Sequence, residues 1–79
     1  MNQPEVDAVK CEALFASVLQ ESDVVTPEGA MAAIGHTLEE LGPVGCVSRM
    51  AQEFGDHPEA AHDRMVWAHE LLARLTMAA

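Results

Sequence analysis

Apolar residues in this chain recur at intervals of three and four, and no run alternates apolar with polar residues long enough for a half-buried strand. That spacing commits the chain to helices packed through their apolar faces. Residue usage agrees: Tyr is absent, only two Phe and one Trp occur, and the helix formers Ala, Leu, Glu and Met dominate outside the breaks. Seventy-nine residues make a single domain, 1–79, with no repeat or low-complexity tract. A core of this size supplies only about 3–5 kcal/mol of net stability, so a staple or a partner is often recruited.

Punctuation divides the pattern into an all-α bundle of about four helices, expected near 4–20, 26–41, 44–54 and 57–75. Pro4 suits a first helical turn, and Ala8, Cys11, Leu14, Phe15, Val18 and Leu19 form one broad apolar face. Thr26-Pro27-Glu28 combines an N-cap, a first-position proline and an acid at the positive end of the helix dipole. Met31, Ile34, Leu38 and Leu41 follow as an inward stripe, with Gly35 placed for close helix approach. Gly42-Pro43 reads as a stop. Val44, Val47, Met50, Ala51 and Phe54 would carry the inner face of the third helix. Asp56, with Glu59 three residues on, reads as the cap of the fourth.

The fourth helix holds more apolar surface than one stripe requires. Ala61, Met65, Ala68, Leu72 and Leu75 line the expected core side. Trp67 groups with Arg64 and Leu71 at one margin, and Val66 lies between His62 and His69 at the other. The expected partner interface is therefore Arg64, Val66, Trp67 and Leu71, and self-association is the expected use of it.

Net charge is −9, distributed unevenly. Residues 1–42 hold eight acids against Lys10 alone, and residues 43–79 hold five acids against Arg49, Arg64 and Arg74. This balance favours a basic protein partner and opposes phosphate backbones and anionic lipid. No stretch approaches the ~20 apolar residues of a membrane span. The opening Met1-Asn2-Gln3-Pro4-Glu5 lacks the basic start and apolar run of a secretory signal. The expected compartment is thus a reducing cytoplasm, with Cys11 and Cys46 as free, buried thiols.

Motifs for chemistry are weak. His62 and His69 share a helix face but stand ~10 Å apart along the axis, too far for one metal. His36 with Glu40 has ligand spacing without a third ligand. Metal sensing through His57, His62 or His69 is a minor alternative, and no cofactor is expected. The glycines make no phosphate loop, and Ser17, Ser22 and Ser48 lack the Asp-Ser-Leu-like context an acyl carrier needs, although size and charge resemble that class. Pairing of Cys46 with a histidine is a conceivable catalytic arrangement, but a short helical chain offers little room for a pocket, and the chain is not expected to be an enzyme.

One segment, 47–66, resembles a helix-turn-helix. Ala51 and Gly55 are four apart, Phe54 precedes the glycine, and Ala61 stands six residues after it. The resemblance implies that residues 44–75 read DNA as a transcriptional regulator, with Arg49, His57 and Arg64 facing the duplex. Asp56, Glu59 and Asp63 would aim negative charge at the phosphates. The expected function is therefore a non-enzymatic, acidic, helical protein-interaction module, an adaptor or regulator acting as a homodimer, with DNA binding as the alternative.

Overall fold

The computed structural model describes the backbone of residues 4–77 and the side chains of residues 7–75. It is all-helical, with three helices: α1, Pro4–Ala16; α2, Pro27–Asp56; and α3, Pro58–Met77. The expected second and third helices run together as α2. No helix of the described residues is long and apolar enough to cross a membrane.

α1 ends four residues earlier than the apolar spacing suggests. The Ser17 hydroxyl donates to Leu14 O at 2.7 Å and accepts from Leu19 N at 3.3 Å, which diverts the backbone from the helix. Val18 is consequently exposed and Leu19 half-buried, and Ala8, also expected inside, is exposed. A turn follows, closed by Gln20 N–H to the Asp23 carboxylate at 2.8 Å and Asp23 N–H to Gln20 O at 3.0 Å. α2 then begins as the sequence indicates: Thr26 Oγ1 accepts from Gly29 N at 3.0 Å, and Pro27 occupies the first turn.

The Gly42-Pro43 break is a kink rather than a stop. Gly42 adopts φ 71°, ψ 167°, a conformation essentially reserved for glycine, while Pro43 restarts helical geometry beyond it. Replacing Gly42 by Ala is therefore expected to cost about 1–3 kcal/mol, although a Cβ there would meet no neighbour within 4 Å. Gly35 gives the opposite sign. It lies in regular helix, is exposed and has open space at its Cβ position, so it does not mediate the close approach expected of it. Gly35→Ala is expected to stabilise by about 0.5–1 kcal/mol. Thermal melts of the two variants check both signs.

The kink also changes the helix phase. Before it, Ala30, Ile34 and Thr37 are buried; after it, the buried side chain is Cys46, with Met50 and Glu53 partly buried on the same line. The stripe expected to face inward, Val44, Val47, Ala51 and Phe54, is turned outward, and only Met50 of that set leans inside. At 100° per residue, those four residues lie within an arc of about 80°, centred about 120° from Cys46.

A single residue, His57, joins α2 to α3. Its N–H donates to Glu53 O at 2.7 Å, and its carbonyl accepts from Ala61 N at 2.8 Å. His57 thus closes one helix and opens the next, in the position expected of Asp56, which is the last residue of α2. Pro58 at the first position of α3 makes this abrupt restart favourable. All three helices contribute to one core: Cys11, Ala13 and Leu14; Ala30, Ile34 and Cys46; Ala68, Leu71 and Leu72.

Candidate functional site

Arg64 makes the most extensive polar constellation described. Its Nε donates to Phe15 O at 2.7 Å, and Nη2 donates to Leu19 O at 2.8 Å, Ser17 O at 3.0 Å and Leu14 O at 3.5 Å. Nη1 reaches Glu21 Oε2 at 3.2 Å. Leu14 and Phe15 belong to the last turn of α1, where carbonyls lack partners within the helix and the dipole favours a cation. One guanidinium from α3 therefore caps α1 and fixes the chain as it leaves. It lies over the Trp67 ring at 4.8 Å and the Phe15 ring at 5.9 Å, with its charge against both π faces.

This arrangement separates the residues expected at an interface. Leu71 is 3% exposed and belongs to the core. Arg64 is occupied by carbonyls of its own chain, and Trp67 is half-buried beneath it. Val66 is 43% exposed on the outer face of α3, between His62 and His69. Leu71 and Arg64 are thus corrected to structural residues. The surplus apolar surface read from this helix is largely taken up by the end of α1 and by a stacked guanidinium.

The residues named as DNA-facing are divided too. Arg49 is exposed and lines, with Phe15, Ser17, Glu53, Ala61 and Arg64, an open hollow of about 250 Å³. His57 is exposed at the α2–α3 joint and outside that hollow. The turn lacks the packing that motivated the helix-turn-helix comparison: Ala51 is exposed, and a Cβ on Gly55 would meet nothing within 4 Å. Ala61 alone of the motif's small residues is buried.

The described thiol–imidazole contact joins Cys11, not Cys46, to a histidine: Cys11 Sγ lies 3.5 Å from His69 Nδ1. Both cysteines are free and buried. Burial raises the Cys11 thiol pKa, with Asp7 and Glu12 adding to the shift. Cys46 is raised by burial and Glu12, against a smaller opposing effect of Arg49. Nucleophilic thiols need the reverse shift, so these behave as small hydrophobes. No group of three or more His, Cys, Asp or Glu among the described residues is placed to hold a metal ion.

The raised thiols give a pH prediction. Each favours its neutral form in the folded state, so the associated stability is complete below the ordinary thiol value of 9.0. It is lost as pH rises past that value and through the raised folded one. Chemical denaturation should show a decline beginning near 9, reduced in Cys11→Ala and Cys46→Ala relative to each variant's own stability at pH 7.

The outward stripe of α2 sets several exposed apolar side chains on one helix face. Val44 is 80%, Val47 41% and Phe54 36% exposed, with Ala51 exposed among them. Phe54 is anchored on one side by stacking on Phe15, with centroids 5.9 Å apart and planes 14° from parallel. The positions follow the 3-4-3 spacing of a coiled-coil seam, which is why they resemble core residues in sequence. Only the Gly42 phase change distinguishes an outward seam from an inward one. Neither a family model, a curated protein nor a solved structure matches the chain.

Proposed function

We propose that this protein is a non-enzymatic, acidic, helical protein-interaction module, an adaptor or regulator, whose docking surface is the second half of α2. One observation carries the reading: four apolar residues at seam spacing, Val44, Val47, Ala51 and Phe54, lie together on an exposed face of α2, with Phe54 resting one side on Phe15. Single exposed apolar residues are ordinary on protein surfaces, but a contiguous stripe on one rigid helix is the usual substrate of helix docking. Its acidic first half disfavours nucleic acid and gives long-range attraction to basic proteins. The occupation of Arg64 by backbone carbonyls leaves Arg49 and His57 as the accessible members of the DNA-facing set.

The test is site-specific photo-crosslinking in the native host. A photoreactive residue at Val47 should give defined protein adducts, whether to a second copy or to another chain. The same residue at His62, on the outer face of α3, should give few. Equal labelling at the two positions would overturn the assignment of the docking surface.

A further inference from the structure

We infer that the occupant of this stripe is a second copy of the same chain, packed antiparallel about a two-fold axis; this rests on the docking reading above. Residues 1–42 carry a net −7 and residues 56–79 a net −2, whereas residues 43–55 contain only Arg49 and Glu53, which cancel. One flank of the stripe is formed by Ser48, Gln52 and Gly55, all exposed and uncharged, and the other by the half-buried Met50. Arg49, about 180° from the centre of the stripe on the helical wheel, points away from it.

A basic partner would be drawn to the acids of the first half, away from this neutral strip. Two copies, each at −9, repel elsewhere, because opposed like charges oppose docking. On this strip, acid does not meet acid. The self-pairing also fits sterically. An antiparallel arrangement sets Val44 against Phe54 of the partner subunit and Val47 against Ala51 of the partner subunit, so that each layer joins a larger side chain to a smaller one. The relation is reciprocal, as a two-fold interface requires, and it aligns the helix dipoles favourably. Eleven residues of helix span only about 16 Å, so the interface is small.

Sedimentation equilibrium on the full chain tests this. Wild type should show a monomer–dimer equilibrium that tightens at least about threefold between about 20 mM and about 500 mM salt, as the −9 charges are screened. Val44→Glu and Phe54→Lys should each be monomeric with unchanged helicity by circular dichroism. Mixing these two variants should restore a dimer, because the antiparallel layers bring the introduced opposite charges together and a parallel arrangement does not. A wild-type monomer at all concentrations and both salts, a dimer that survives Val44→Glu, or failure of the mixture to associate would overturn the inference. Paramagnetic-cosolute NMR on dilute monomer separates this from failure of the docking reading. Val47 methyls accessible there leave the docking surface standing, whereas shielded methyls in a monomer remove both.

Discussion

Arg64→Ala should remove most of the protein's stability at 25 °C. The guanidinium donates to four carbonyls at the end of α1 and in the following turn, and it fills the space between Trp67 and Phe15. Removing it strands part-buried acceptors and uncovers two aromatic faces. Losses at hydrogen bonds to a charged group run to about 1.5–3 kcal/mol each and are not additive, so a total of about 3 kcal/mol is a reasonable expectation. That is comparable to the whole stability available to a domain of this size, about 3–5 kcal/mol. Arg64→Lys should recover only part of it, because an ammonium cannot reproduce a planar fork that serves several acceptors. Glu21→Ala should cost well under about 1 kcal/mol, since that carboxylate is nearly half exposed and the pair is solvent-screened. Urea titrations of the three variants, read by circular dichroism, check this order. Equal losses for Arg64→Lys and Glu21→Ala would mean that the ion pair, not the carbonyl cap, is the source of the stability.

Leu14→Ala should be as severe through a different cause. Leu14 is fully buried where α1 meets α2 and α3, and its side chain packs in the same cluster as Ile34, Cys46, Leu71 and Leu72. Leucine-to-alanine changes in cores cost about 2–5 kcal/mol, from lost transfer energy and the cavity left behind. α1 has only 13 residues, too few to persist as an isolated helix, so its helicity depends on this docking. We expect Leu14→Ala to release α1 and to lower the apparent midpoint in urea below that of any surface variant. Val44→Ala, at a far more exposed site, should shift stability by less than about 0.5 kcal/mol. Far-ultraviolet circular dichroism measures both.

The sequence made the helical class and most of its punctuation legible. Thr26, Pro27 and the Gly42-Pro43 break act where local chemistry says they should, because caps and φ restrictions operate within a few residues. The departures arise from tertiary contacts and from two local backbone events, at Ser17 and at Gly42. Val18 and Leu19 continue an apolar rhythm beyond Ala16; the local signal against it is Ser17, whose hydroxyl bonds Leu14 O, and Arg64, 49 and 50 residues from Phe15 and Leu14, binds the same helix end. Trp67 and Leu71 resembled a surplus because the pattern of α3 alone shows neither the α1 core residues packed against it nor the stacking of its own Arg64 on Trp67. Periodicity identified the Val44–Phe54 seam but not its direction. A glycine at φ 71° rotates the second half of α2, and Cys46, a small residue easily overlooked, takes the inward position. The candidate docking surface was thus present in the sequence as a core stripe.

On this account two copies of the chain meet through the outward seam of α2. A dilution series of amide spectra by nuclear magnetic resonance examines it residue by residue. Concentration-dependent shifts should be confined to residues 43–55 and the Phe15 environment behind Phe54, while amides around His62 and Val66 remain unchanged. Shifts centred on the outer face of α3, or no shifts at all up to millimolar protein, would contradict it.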